Sequence, residues 1–147
     1  MFVTHGMAIW ELRFNATTGT VHFCAQVNGV WIDQTKYSTK TILVADTWYH
    51  VAGTFDGKRV TTYLNGVADG HFDASGTIAS TTNPVDIGKR VEDNSLYFYK
   101  GDVDEVGIFN VALAEADIAS LMNGLSPSAV FSSGKSATTW ANIKTQY

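Results

Sequence analysis

The chain has 147 residues, 45% of them hydrophobic, which suits one folded domain with a core and excludes a disordered segment. The net charge is −4, from 10 basic and 14 acidic residues, and no Lys/Arg cluster exists, so we expect no nucleic-acid partner. No apolar run approaches the ~20 residues of a membrane helix, so we expect no membrane insertion.

The first half of the chain alternates apolar and polar residues, which is typical of β-strands. We predict strands over residues 8–14, 20–27 and 30–33. The turns between them fall at Asn15–Gly19 and Asn28–Gly29, because Gly and Asn accept turn conformations.

Alternation also assigns the side chains of these strands to two faces. In the first strand the charged Glu11 and Arg13 lie opposite three large apolar side chains: Trp10, Leu12 and Phe14. One face of the second strand carries His22, Cys24 and Gln26. Cys24 is the only cysteine, which excludes an internal disulfide. We expect it to be a small buried or half-buried residue rather than a catalytic thiol.

The stretch Thr47–Gly66 predicts two strands joined by a two-residue turn at Asp56-Gly57. One face of the first strand carries Tyr49, Val51, Gly53 and Phe55. On the return strand the core-facing set is one of two alternatives: Val60, Thr62 and Leu64, or Arg59, Thr61 and Tyr63. Asn65-Gly66 supplies a second hairpin turn.

Further strands are predicted over residues 42–44, 68–72 and 84–89, and one long strand over 97–110. The period then changes to that of a helix over 114–124, where the apolar residues at helical spacing are Ile118, Leu121 and Met122. Acidic residues in its first turn and Gly124 past its end support the helix. The pattern as a whole predicts an all-β, antiparallel β-sandwich with one short C-terminal helix.

Three motifs, W-Y-H-V-A-G-T-F-D-G, Y-L-N-G and G-D-V-D-E-V-G-I-F-N-V-A-L, together resemble the laminin G-like (LamG, concanavalin A-like jelly-roll) family. The resemblance implies a LamG-like sandwich over residues 1–125, followed by a C-terminal tail, 126–147. The tail keeps several apolar residues, so it either packs on the sandwich or forms a flexible end. Complete family members begin with two or three further strands, and we expect the open sheet edge to be covered by a partner chain or by the tail.

The resemblance implies a non-catalytic recognition module for glycans or extracellular proteins, located outside the cell or at its surface. No signal peptide is expected in this chain, because its first residues are typical of a strand and a turn. The alternative is a structural module that homo-oligomerises through the open sheet edge. A glycoside hydrolase is the least favoured, since the E-x-D-x-E pattern of jelly-roll glucanases is not met around Asp102 and Asp104.

Sugar-binding surfaces combine aromatic rings with carboxylate and amide groups. The candidate ligand-binding residues are Trp31, Asp33, Asp93, Asn94, Tyr97 and Tyr99. Because residues 97–99 are three aromatics in a row, at least one of them must face away from its neighbours. The competing assignment for each aromatic is simply the core of the sandwich.

The resemblance also implies a calcium site. Asp104 matches the aspartate that helps to hold Ca²⁺ in many LamG-like domains, and Asp102 lies on the same face of the predicted strand. Calcium requires six to eight oxygen ligands, which Asp104 alone cannot supply. The alternative is that Asp104 accepts hydrogen bonds from neighbouring backbone N–H groups.

Overall fold

In the computed structural model, residues 2–6, 9–33, 41, 43–90 and 97–124 are described in full, and residues 137–139 by their backbone. The elements in these ranges are β1 (Val3–His5), β2 (Trp10–Asn15), β3 (Thr20–Val27), β4 (Val30–Ile32), β5 (Val51–Phe55), β6 (Arg59–Leu64), β7 (Val67–Asp73), β8 (Val85–Ile87), β9 (Gly107–Phe109), α1 (Glu115–Leu121) and β10 (Ala137–Thr139). Every strand pair is antiparallel, and the predicted β-sandwich with one short helix is confirmed.

Two sheets form the sandwich. The five-strand sheet has the order β4-β3-β2-β1-β8, and the three-strand sheet has the order β5-β6-β7. β9 and β10 form a separate pair. Two of the turns are the predicted Asn-Gly pairs, and all four of their residues have positive φ: Asn28, Gly29, Asn65 and Gly66. Such pairs match the twist of the flanking strands, which explains why the two hairpins fold at these positions.

The core lies between the two sheets. Val21, Phe23 and Val27 enter it from β3, and Val60 and Leu64 enter it from β6. Of the two sets that the sequence allows on the core-facing side of β6, the structure therefore has Val60, Thr62 and Leu64.

A hydrogen bond links the two sheets inside the core. The backbone N–H of Phe23 donates to Thr62 Oγ1 at 3.0 Å, so the buried hydroxyl is satisfied inside the core. Cys24 is fully buried and its thiol donates to Asp33 Oδ1 at 3.8 Å, so the predicted burial of this residue is confirmed.

The helix α1 closes one end of the sandwich. Ile118 and Leu121 are buried, and Leu121 packs against Phe109 and Leu113. Met122, which is predicted on the same apolar stripe, caps the C-terminal end of the helix and is 44% exposed. No helix in the described part of the chain is long and apolar enough to cross a membrane.

Two predicted strands are wrong. In place of one strand over 97–110, only Gly107–Phe109 forms a strand, because positive φ angles at Gly101 and Glu105 interrupt the extended run. The strand predicted over 42–44 is not formed at its described residues. Leu43 instead donates its N–H to the Gly19 carbonyl at 2.7 Å and packs against the core, while the Val44 N–H donates to Tyr49 Oη at 3.1 Å.

The short strand β9 pairs with a segment from the region beyond the predicted boundary at residue 125. Ala137 lies opposite Phe109, and Thr139 lies opposite Gly107, in an antiparallel register. The division of the chain at 125/126 itself stays a prediction.

Candidate functional site

The outer face of the five-strand sheet, which is turned away from the core, carries polar and charged side chains. In the register of β2 and β3, Glu11 lies opposite Cys24, and Arg13 lies opposite His22. Because Trp10, Leu12 and Phe23 point into the core, alternation places these four residues on the other side of the sheet. Glu11, His22 and Cys24 have no exposed surface, so this polar face is buried at its centre.

Four charged side chains on this face form a continuous series, which we call the ion-pair chain: Asp33, Arg13, Glu11 and Arg90. Arg13 Nη2 donates to Asp33 Oδ1 at 3.0 Å, and Arg13 Nη1 lies 2.9 Å from Glu11 Oε1. The series continues from Glu11 Oε2 to Arg90 Nη1, at 3.6 Å. It ends where the Arg90 guanidinium lies over the ring of Tyr97, 4.4 Å from the ring centroid, in a cation–π contact.

A backbone contact brings the last two groups together. Arg90 follows β8, and Tyr97 lies beyond the next stretch of chain. The Tyr99 N–H donates to the Gly88 carbonyl at 2.8 Å, which places the segment 97–99 beside residues 88–90. This hydrogen bond between Tyr99 and Gly88 therefore helps to place the Tyr97 ring next to the Arg90 guanidinium.

Burial dominates the electrostatics of Glu11. Desolvation raises the pKa of its carboxyl above 4.5, and the nearby guanidinium groups of Arg13 and Arg90 oppose that rise without cancelling it. For Arg13, burial acts to lower the pKa, but Cys24 and the carboxylates of Glu11 and Asp33 outweigh it and raise the pKa. Removal of the charge on Glu11 or on Arg13 is therefore expected to leave the other charge without its partner and to lower the stability of the fold.

The two ends of the ion-pair chain reach solvent although its centre does not. The side chain of Asp33 is 35% exposed and Tyr97 is 44% exposed, whereas Glu11 is fully buried. Trp31 lies opposite Gln26 in the register of β3 and β4, on the same outer face as Asp33, and is half-buried. A partly exposed carboxylate and a half-buried indole ring thus share the outer face of the sheet, and the ring of Tyr97 lies at the other end of the ion-pair chain.

Three of the six predicted ligand-binding residues, Trp31, Asp33 and Tyr97, belong to this face. Tyr99 does not join them, since its ring packs in the core against Phe2 with the ring centroids 4.8 Å apart. Asp93 and Asn94 lie outside the described residues.

The sequence did not identify Glu11, Arg13 or Arg90 as site residues. The alternation in β2 could have indicated Glu11 and Arg13, because it places two opposite charges side by side on one face. Arg90 lies in a connection with no periodic pattern, so no local signal marks it.

Asp102 and Asp104 are both exposed. Asp104 Oδ1 accepts a hydrogen bond from the Glu105 backbone N–H at 2.8 Å, which is the contact expected of the alternative to a calcium ligand. Within the described ranges, no three His, Cys, Asp or Glu side chains are grouped so that they could hold a metal ion. The described residues alone do not fit the implied calcium site, and that site stays a prediction.

One comparison with known proteins, the family match, agrees with the fold. A laminin G model of the concanavalin A-like lectin/glucanases superfamily matches residues 1–119. Among solved structures, the chain is similar to a crystal structure of an S-layer domain-containing protein (residues 221–444) from Clostridium thermocellum. The TM-score is 0.46 and the sequence identity 20%, over 82% of this chain and 67% of that chain. The comparison with curated proteins found no match. Because the family match spans most of the chain, this protein belongs to the concanavalin A-like lectin/glucanases superfamily, as a laminin G-type domain.

Proposed function

We propose that the chain is a non-catalytic recognition module that binds a glycan at the outer face of the five-strand sheet. The observation that carries the proposal is the ion-pair chain, because it fixes Asp33 and Tyr97 in place before any ligand arrives. A preorganised site loses less conformational entropy on binding than a mobile one. A location outside the cell or at its surface is part of the proposal and is supported by the family.

Each exposed group has a role that suits a sugar. Asp33 Oδ1 accepts hydrogen bonds from Arg13 at 3.0 Å and from the Cys24 thiol at 3.8 Å, and because a carboxylate has about four acceptor positions, we expect it also to accept from sugar hydroxyls. Trp31 and Tyr97 offer apolar ring surface with a polar edge. A sugar ring has the same division, with C–H groups on its faces and hydroxyls around its rim.

The geometry favours binding over hydrolysis. A two-carboxylate hydrolase needs both carboxyl groups in contact with the bond that breaks. On this face, the carboxyl whose pKa is raised belongs to Glu11, which has no exposed surface. It is therefore placed to hold Arg13 and Arg90 rather than to protonate a ligand.

We expect Asp33→Asn to weaken glycan binding at least tenfold, because a hydrogen bond to a charged group contributes about 1.5–3 kcal/mol. Trp31→Ala should weaken it by a similar factor through the loss of ring contact. A glycan array identifies a ligand, and titration calorimetry measures the change. The matched control is Asp46→Asn, since Asp46 is exposed and its positive φ suits asparagine. Equal affinities for Asp33→Asn and the unchanged protein, or an array without a bound glycan, would contradict the proposal.

The alternative function is assembly through a sheet edge. The observation that favours it is that, among the described strands, β9 pairs with β10 on one edge only, so its other edge can accept a strand from a second chain. If assembly is the function, light scattering should give a dimer mass, and the interface should bury more than ~1,000 Å². Repeating the measurement with EDTA tests the calcium prediction, since chelation should then dissociate the dimer. A monomer under both conditions argues against assembly.

A further inference from the structure

The opposite face of the sandwich carries a groove that is independent of the ion-pair chain. It lies on the outer face of the three-strand sheet, and its volume is roughly 430 Å³. That size falls within the range of small-molecule sites in proteins, about 300–1,000 Å³. The floor includes Thr54, Thr61, Tyr63 and His71, and Leu113 contributes to an apolar wall.

The strand register explains why these groups converge. Thr61 on β6 lies opposite Thr54 on β5 and opposite His71 on β7, so the three side chains form one row across the sheet. Because Val60, Thr62 and Leu64 point into the core, Thr61 and Tyr63 must point outward.

A hollow forms around Tyr63 because its neighbours are small. Its cross-strand partners are Ala52 on β5 and Ala68 on β7, with an irregularity in the β6–β7 register at this position. Of these two alanines, Ala68 lines the groove together with Tyr63. The groove is therefore a direct result of the sequence of the three strands.

The hydroxyl groups of the floor make no hydrogen bond within the described part of the chain. Among the described residues, no hydrogen bond involves the side chains of Thr54, Thr61, Tyr63 or His71. Thr61 and Tyr63 are only 8% exposed each, and the surface they retain lines the groove. Hydroxyl groups left without a hydrogen-bond partner next to a groove are available to a ligand, whereas His71 interacts electrostatically with Asp73.

The charged groups at the rim are, by contrast, already engaged. Arg59 pairs with Asp73 through a hydrogen-bonded salt bridge. Asp56 Oδ1 accepts from the backbone N–H groups of Lys58 and Arg59 at 2.8 and 2.7 Å, respectively. Glu115 Oε1 accepts from the Ala68 N–H at 3.0 Å. The groove therefore offers uncharged hydroxyl donors and acceptors beside an apolar wall. The charged side chains Arg59, Asp56 and Glu115 are already bound to other groups of the protein.

We propose that this groove is a second binding site, specific for a neutral sugar. The hydroxyls of Thr54, Thr61 and Tyr63 both donate and accept, as sugar hydroxyls do, and the Leu113 side of the groove suits a C–H face. The proposal does not rest on the glycan site at the ion-pair chain, which uses other residues on the other sheet.

The test is an amide-detected NMR titration of the full chain with glucose, galactose, mannose, maltose and cellobiose at millimolar concentrations. At least one sugar should shift the amide resonances of Thr54, Thr61 and His71. Tyr63→Phe and Thr61→Val should each weaken that binding about threefold to tenfold, the effect of losing one neutral hydrogen bond. The matched control is Thr82→Val, because Thr82 is exposed and does not line the groove.

Three outcomes would overturn the proposal: no shifts with any of the five sugars, shifts confined to residues around Asp33, or full affinity in both Tyr63→Phe and Thr61→Val. Asp33→Asn separates the two sites, since it should leave binding in the groove unchanged. If Thr61→Val does not fold, the exposed His71→Ala replaces it, with the same weakening expected.

Discussion

Arg13→Met should lower the free energy of unfolding by about 3 kcal/mol at neutral pH, the lower end of the range for an unpaired buried charge. Arg13 lies 2.9 Å from a Glu11 carboxylate that has no exposed surface. Methionine retains much of the length of the side chain but none of its charge. The lower end applies because Arg90 still lies 3.6 Å from Glu11 Oε2. Urea unfolding followed by circular dichroism measures the change.

The loss of stability in Arg13→Met should depend on pH in a defined direction. The pKa of Glu11 is raised above 4.5 by burial, so in the window just above 4.5 the folded state binds more protons than the unfolded state. Protonation of Glu11 therefore stabilises the folded state below that window, and this stabilisation is lost as pH rises through the pKa of Glu11 in the folded state. Arg13 is the main group that opposes the rise, so Arg13→Met should move the folded pKa higher and widen the window. The variant should thus recover stability on acidification relative to the unchanged protein.

Two further variants make the result specific. Glu11→Gln combined with Arg13→Met removes both charges, and it should recover most of the stability lost in Arg13→Met. Arg59→Met is the matched control, because the Arg59–Asp73 pair is exposed on both sides, and such pairs contribute little to stability. If the double variant were as unstable as Arg13→Met alone, the loss would come from packing and not from the charge on Glu11.

Most of the fold could be predicted because its strands carry clear local signals. The strand Thr20–Val27 was predicted to the residue, since turn residues lie on both sides of a regular alternation. The strand over 97–110 failed for a physical reason. Its alternation is typical of a strand, but among the described residues most of it has no strand partner. Glu105 adopts a left-handed conformation that no sequence pattern predicts.

The site was predictable only at its exposed ends. Asp33 and Tyr97 could be chosen by residue type alone. That Glu11 and Arg13 share a face also follows from alternation, but the pairing of Glu11 with Arg90, which lies far away in the sequence, does not. The choice between Tyr97 and Tyr99 required the structure, because only the contact with Phe2 assigns Tyr99 to the core. Local patterns therefore place residues on faces, whereas long-range contacts decide which face becomes a site.

Gly53→Ala should destabilise the protein by about 3 kcal/mol, at the upper end of the usual cost of overpacking. A Cβ at Gly53 would overlap the ring of Phe23, which packs against Val27 and Val60 in the core. The ring must leave its rotamer or the two sheets must move apart. Gly29→Ala is the control, because nothing lies within 4 Å of its Cβ position. Only the strain of its positive φ then applies, at about 1–2 kcal/mol. Thermal and urea unfolding measure both variants.

The double variant Gly53→Ala with Phe23→Ala tests the cause directly. Phe23→Ala alone should cost about 3–5 kcal/mol, because it leaves a cavity in the core. In the double variant the new methyl group occupies part of that cavity, so the combined loss should be clearly smaller than the sum of the two single losses. Additive losses would mean that the two residues do not touch, and the absence of a side chain at position 53 would then not be what lets the sheets approach. A sub-additive result would identify this single contact as a determinant of the distance between the two faces on which the proposed sites lie.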